Sequence, residues 1–213
     1  MKNLFNLDTP LMQMLTRVGD MIIINFLTII CSLPIITAGA AISATHRIMQ
    51  DFLMDNETTI VRTYFRAFKE NFKQATLVWL ALVVIIAALL ADVFLINLFI
   101  QGSLRSFFVI LLSAVALIVF AISMYIFPLL TRYRNTLPQH LRNSLILMIT
   151  KLPRTIGMMA LHALPFVILW LSYNVFLQTL IFWLFVGASF TIFMDTFLLK
   201  PVFQQLEKNQ QPS

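Results

Sequence analysis

Charged side chains are scarce in this sequence, and four long stretches contain none. Only 11% of the 213 residues are Asp, Glu, Lys or Arg, well below the roughly 25% found in soluble domains. The uncharged stretches are residues 21–45, 74–91, 106–131 and 155–194. About 20 apolar residues in a helix cross a hydrocarbon core about 30 Å thick. A soluble domain is therefore excluded, and an integral membrane protein is indicated.

Cysteine and the common catalytic motifs are also missing or nearly so. Cys31 is the single cysteine, so neither an intramolecular disulfide nor a cysteine-based metal site can form. The motifs of zinc proteases, serine hydrolases, dinucleotide-binding proteins and P-loop ATPases are absent. The three histidines, His46, His140 and His162, lack metal-ligand spacing. We therefore expect a protein that is not an enzyme and needs no cofactor.

The apolar stretches predict an all-α, polytopic membrane protein with about five transmembrane helices. The last stretch is long enough for two crossings, with a polar break at residues 172–174. Residues 1–203 are expected to form one membrane domain, followed by a polar C-terminal tail at residues 204–213 that we expect to be disordered. The predicted spans lie near residues 18–38, 75–99, 106–130, 155–173 and 177–199.

Lysine and arginine are distributed unevenly along the chain. They are concentrated in residues 44–73 and 132–154 and are rare near the short hairpin loops. The positive-inside rule then places these segments and the C-terminus in the cytoplasm of a cell-membrane protein, with the N-terminus outside. Topology thus accounts for the basic charge, and nucleic acid is not an expected partner. The alternative at the N-terminus is a cleaved signal peptide ending near residues 38–40.

Two basic segments have the pattern of amphipathic helices in the membrane interface. In residues 59–73, apolar side chains recur at helical spacing beside a basic stripe, and a second such segment begins at Leu137. A helix of this kind presents its basic face to anionic lipid or to a cytoplasmic partner. Membrane lipid is therefore an expected partner. The candidate contacts in the first segment are Arg62, Arg66, Lys69 and Lys73.

Three ionisable side chains fall inside or beside the apolar stretches, where a charge costs about 3 kcal/mol or more unless it is paired or hydrated. They are Asp92, His162 and Asp195. Asp92 is predicted in the outer half of its span, whereas the other two are predicted toward the inner leaflet and within reach of each other. Two aspartates at opposite leaflets cannot form an intramembrane protease. We interpret the His162–Asp195 pair as structural, with a substrate or proton site as the alternative.

The end of the first span carries the most distinctive pattern, Asn25 followed by LPIITAGAA at residues 33–41. Proline and glycine predict a kink there, and the alanines permit close helix contact. The pattern resembles the N-terminal signature of the YesL-like bacterial membrane proteins, the family of domain of unknown function 624. Residues 68–79 and 141–143 resemble later blocks of that family. The residues that match its turn motif include Asn25, Pro34, Thr37 and Gly39.

This resemblance implies a cellular context, because the family has no established activity or site residues. Its members are typical of Gram-positive bacteria and are often encoded beside carbohydrate ABC transporters. It therefore implies a non-enzymatic accessory of carbohydrate uptake, with ABC transporter components as partners. The alternatives are an autonomous transporter, an ABC permease-like subunit, whose E-A-A-x-x-x-G motif is absent, and a membrane signalling accessory. A homo-oligomer is compatible with each role.

Overall fold

The computed structural model describes residues 10–54 and 59–210, which fold into a helical bundle without a β-strand. Five of its helical segments are long and apolar enough to cross a membrane, which confirms the predicted all-α fold. A 3-10 turn (Ile35–Thr37) separates the first two helices, and a π-helical turn (Trp183–Gly187) joins the last two without a break. The helices are α1 (Pro10–Ser32), α2 (Ala38–Leu53), α3 (Ile60–Phe99), α4 (Gly102–Arg132), α5 (Leu137–Thr150), α6 (Leu152–Leu171), α7 (Tyr173–Phe182) and α8 (Ala188–Gln210).

A tight turn after α1 reverses the chain. Pro34 has no backbone N–H to continue the helix, and the backbone there is extended, with φ −74° and ψ 107°. The Thr37 hydroxyl lies 2.6 Å from the Cys31 carbonyl and 2.8 Å from the Pro34 carbonyl, so it satisfies acceptors that the broken helix leaves open. The predicted kink is therefore a complete reversal of direction.

Helices α1 and α2 consequently form an antiparallel hairpin. The hydroxyls of Thr28 and Thr45 lie 2.6 Å apart across it. Near the start of α1, the Arg17 guanidinium donates to the Phe52 carbonyl near the end of α2, at 3.0 Å. Lys200 of α8 donates to the adjacent Leu53 carbonyl at 2.8 Å. The start of α1, the end of α2 and the second half of α8 thus share one end of the bundle, which we call the basic end.

This arrangement differs from the expected one, in which a single first span placed the N- and C-termini on opposite sides. Helix α2 adds a segment of 16 residues that returns the chain. Hydropathy missed it because it carries polar residues, which are buried against other helices. Gln50, for example, is buried and donates to the Pro128 carbonyl and the Thr131 hydroxyl of α4. Helix α2 contacts α1, α3, α4 and α8.

Helix α3 is longer than the predicted span. It runs unbroken for 40 residues, or about 60 Å. The basic segment at residues 59–73 was expected to be a separate helix in the interface, but from Ile60 onward it forms the first part of α3. It packs along α2, with Tyr64 and Ala67 in one buried cluster with α2 residues such as Ile48. The second basic segment is a separate short helix, α5, which begins at Leu137 as predicted.

Close contact between α2 and α3 depends on Gly39. A methyl group on Gly39 would collide with the Ala75 carbonyl and with the Cβ atom of Trp79. The Trp79 indole donates to the Ile35 carbonyl at 2.7 Å, which ties α3 to the hairpin turn. This contact explains why a glycine follows the turn.

The final helix extends further than expected. Residues 204–210 continue α8, and Glu207 forms an ion pair with Arg132 at 2.7 Å. That part of the predicted tail is therefore helical rather than disordered. The last three tail residues and the first nine residues of the chain, with Lys2, lie outside the described residues.

Candidate functional site

A cavity of about 520 Å³ lies between α2, α3, α4, α6 and α8. Its walls are mostly apolar, with leucine, isoleucine and tryptophan side chains from α3 and valine, methionine and phenylalanine side chains from α4. We call it the apolar cavity. The polar side chains that reach it are His46, Ser123, His162, Thr191 and Asp195.

The structure brings His162 and Asp195 together at this cavity. Histidine Nε2 lies 3.5 Å from Oδ2 of Asp195, whose side chain is 3% exposed. Histidine Nδ1 lies 3.1 Å from the Met158 carbonyl. A carbonyl oxygen only accepts, so Nδ1 carries a proton. A hydrogen bond between Nε2 and the carboxyl group then needs one further proton, on either partner.

His46 reaches the same cavity from α2, although the sequence did not predict it as an intramembrane residue. Its side chain is buried, and its Nδ1 has no hydrogen-bond partner among the described residues. The same is true of the second carboxylate oxygen of Asp195. Within residues 10–54 and 59–210, no group of three or more His, Cys, Asp or Glu side chains could hold a metal ion. The cluster therefore supplies polar atoms to an apolar space without forming a metal site.

Asp92 is separated from this cluster. It lies on an exposed face in the second half of α3, and it does not line the apolar cavity. The nearby Asn97 amide donates only to the Val93 carbonyl of its own helix. Of the three predicted intramembrane residues, the structure thus combines two and leaves the third at the surface.

Asn25 has a role that its sequence position did not reveal. Its side chain is fully buried. The amide nitrogen donates to the Leu184 carbonyl at 2.6 Å, and the amide oxygen accepts from the Ser189 backbone N–H at 3.1 Å. Leu184 lies within the π-helical turn and Ser189 follows that turn by two residues, so the amide bridges the end of the widened turn. The motif residue therefore fixes α1 to the last span.

The other motif residues also act within the fold. Pro34 and Thr37 build the turn of the hairpin, and Gly39 allows α2 to approach α3. All three contribute to the shape of the hairpin rather than to a chemical site. The basic stripe predicted as a contact surface, by contrast, is exposed along its whole length: Arg62, Arg66, Lys69 and Lys73.

Comparison with known proteins agrees with the motif. Residues 21–93 match the family described as protein of unknown function, DUF624, which confirms the resemblance to the YesL-like family over that region. The match begins within α1, covers most of the hairpin and reaches the second half of α3. No curated protein and no solved structure matches the chain.

Proposed function

We propose that this chain, which carries a DUF624 segment at residues 21–93, is a non-enzymatic membrane protein that assists carbohydrate uptake by binding a transporter. The observation that supports assistance over transport is the composition of the apolar cavity. A buried sugar needs partners for most of its hydroxyls, because each buried polar group left unpaired costs about 1–3 kcal/mol. Five polar side chains reach this cavity, and aliphatic and aromatic groups form most of its walls. Such a lining offers few hydrogen-bond partners to a sugar.

The link to carbohydrate comes from the resemblance to the YesL-like family, whose genes often lie beside carbohydrate ABC transporters. A transporter partner needs an exposed surface, and the first part of α3 offers one. Phe65 and Phe72 are 41% and 37% exposed there, beside the basic stripe. Arginine and aromatic side chains are enriched in protein interfaces. We therefore assign the partner contact to this surface.

The proposed orientation places the basic end in the cytoplasm. Every lysine and arginine in residues 10–54 and 59–210, apart from Arg105, lies on segments at this end, and positive charge accumulates on the cytoplasmic side of membrane proteins. The start of α1 and the end of α8 then both face the cytoplasm. A fluorescent protein fused to either terminus should fold and fluoresce in a bacterial host. Alkaline phosphatase inserted between α3 and α4 should be active outside, and activity from a terminal fusion would contradict this orientation.

The functional proposal is tested by purifying the tagged protein in mild detergent from its host, grown on a complex carbohydrate, after crosslinking. We expect an ABC permease to be recovered and crosslinked through the first part of α3. Combined Arg62→Glu and Lys69→Glu substitutions should reduce its recovery, whereas Arg142→Glu on α5 serves as a control of similar exposure.

Uptake of labelled sugar by proteoliposomes separates this role from transport. Vesicles containing this chain alone should take up no more sugar than empty vesicles, and clear uptake would overturn the accessory role. Absence of both uptake and a co-purified transporter would contradict the proposal as well and would favour the signalling alternative.

A further inference from the structure

A second cavity, of about 720 Å³, lies at the basic end between α3 and the segment that joins α4 to α5. Its lining is polar, unlike that of the apolar cavity, and it includes a single acidic residue, Glu70. We call it the arginine pocket. The arginines that line it are Arg47 from α2, Arg66 from α3, Arg132 at the end of α4 and Arg134 from the joining segment.

Among the residues that the structure describes, two of the four arginines form ion pairs with carboxylates, and the other two do not. Arg47 pairs with Asp51 at 3.3 Å, and Arg132 pairs with Glu207 at 2.7 Å. Arg66 and Arg134 form no ion pair with another residue in the described part of the chain. Glu70 lies one helical turn after Arg66, but within that part the two are not paired.

Two guanidinium groups without carboxylate partners therefore line a pocket that also contains two further arginines. Like charges in one pocket repel each other. An anion would relieve it. Guanidinium groups bind phosphate oxygens through paired, charge-assisted hydrogen bonds.

The neighbouring side chains suit the same chemistry. Thr63, Thr136 and Gln139 line the pocket and can each donate a hydrogen bond to an oxygen ligand. The Gln74 amide donates to the Asn135 carbonyl at 3.2 Å, which holds the joining segment against α3. The pocket is also larger than one phosphate group needs, so there is room for an attached organic moiety.

We propose that the arginine pocket binds a phosphate-bearing anion, held chiefly by Arg66 and Arg134. This chemistry occurs both in the headgroup of an anionic phospholipid and in a soluble phosphorylated metabolite. The inference is independent of the proposed role in carbohydrate uptake, because it rests on the arginine pocket alone. A bound anion would join α2, α3 and the segment between α4 and α5.

The test compares the full chain with an Arg66→Gln/Arg134→Gln double variant. The matched control is Arg105→Gln/Arg142→Gln, which removes the same charge from two exposed residues that belong neither to the pocket nor to the basic stripe. One arm measures thermal unfolding in detergent against inorganic phosphate and against glucose 6-phosphate, at constant ionic strength. The other arm measures retention of phosphatidylglycerol relative to phosphatidylcholine by native mass spectrometry.

We expect the wild type and the control to bind at least one of these probes, and the pocket variant to bind it at least about tenfold more weakly, because two charge-assisted contacts are lost. Stabilisation by the soluble phosphates identifies a metabolite site, and selective retention of phosphatidylglycerol identifies a lipid site. Equal binding by the pocket variant and the control would overturn the proposal, as would no binding of any probe by the wild type. If the double variant does not fold, Arg134→Gln alone is judged by the same comparison.

Discussion

The bridge made by Asn25 gives the sharpest test of the fold. Replacing Asn25 with alanine removes two hydrogen bonds between α1 and the last span and leaves the Leu184 carbonyl and the Ser189 N–H without that partner. A buried polar group left unpaired costs about 1–3 kcal/mol, while side-chain hydrogen bonds between membrane helices average about 0.6 kcal/mol and reach about 1.7. For two groups we expect a loss of about 2–4 kcal/mol in the free energy of unfolding.

Thermal unfolding of the purified protein in mild detergent measures this loss. One kcal/mol lowers the Tm of a protein of this size by about 2–4 °C, so Asn25→Ala should lower it by about 5–15 °C. The matched control is Asn97→Ala, because Asn97 is exposed and bonds only within its own helix. Its Tm should stay within about 2 °C of the wild type, since exposed substitutions usually cost under about 0.5 kcal/mol.

A second variant separates hydrogen bonding from packing. Asn25→Leu keeps the branched heavy-atom skeleton, leaves no cavity and removes the amide, so it should lose nearly as much stability as Asn25→Ala. If leucine restores the wild-type Tm, the loss in the alanine variant came from a cavity. Recovery of that kind, or an equal Tm for the Asn25→Ala and Asn97→Ala variants, would refute the assigned bridge.

Three further predictions concern stability and use the same unfolding assay. Gly39→Ala should lower the free energy of unfolding by about 1–3 kcal/mol, because the new methyl group forces α2 and α3 apart. The control Gly19→Ala places its methyl group where no atom lies within 4 Å, so it should raise the free energy of unfolding by about 0.5–1 kcal/mol through helix propensity. Equal effects of the two substitutions would refute the close contact. His162→Ala and Asp195→Asn should each lower the free energy of unfolding. The double variant should lose about 0.5–3 kcal/mol less than the sum of the two single losses, because the two side chains interact. Additive losses would show that the pair is not coupled. Burial lowers the pKa of His140 from its ordinary value of 6.5, and the folded state then binds fewer protons than the unfolded state as pH falls below 6.5. Stability should therefore decrease with acidification below that pH, and His140→Phe should lose less stability than the wild type between about pH 7.5 and pH 5.5.

Hydropathy predicted the helical class and five spans because those segments expose apolar side chains on at least one face. It missed α2 because hydropathy scores the transfer of a helix into lipid, whereas α2 contacts protein on several sides. A different signal was present, the small residues Ala40, Ala41 and Ala44, which are all buried against neighbouring helices. Small residues at helical spacing indicate close packing, but they do not say how many helices surround a segment.

The contacts of the polar residues could likewise be predicted only in part, because the sequence does not show which distant helices pack together. His162 and Asp195 were predicted to lie within reach of each other because their depths could be estimated from the ends of two adjacent spans. The depth of His46 depended on α2, so it could not be assigned to the cavity. The partner of Asn25 was equally inaccessible, since it depends on a π-helical turn more than 150 residues away in the chain. Such a turn follows from packing between distant helices and has no sequence periodicity.

The segment that matches the family contributes residues to both cavities but completes neither. Residues 21–93 supply His46 to the apolar cavity and Arg47 to the arginine pocket, on consecutive positions of α2. Neither site is complete within that segment. The other ionisable side chains at the apolar cavity, His162 and Asp195, come from α6 and α8. Arg132 and Arg134 follow α3 by more than thirty residues. The matched segment therefore forms the hairpin and one wall of each site, and any ligand specificity depends on side chains from the later helices as well.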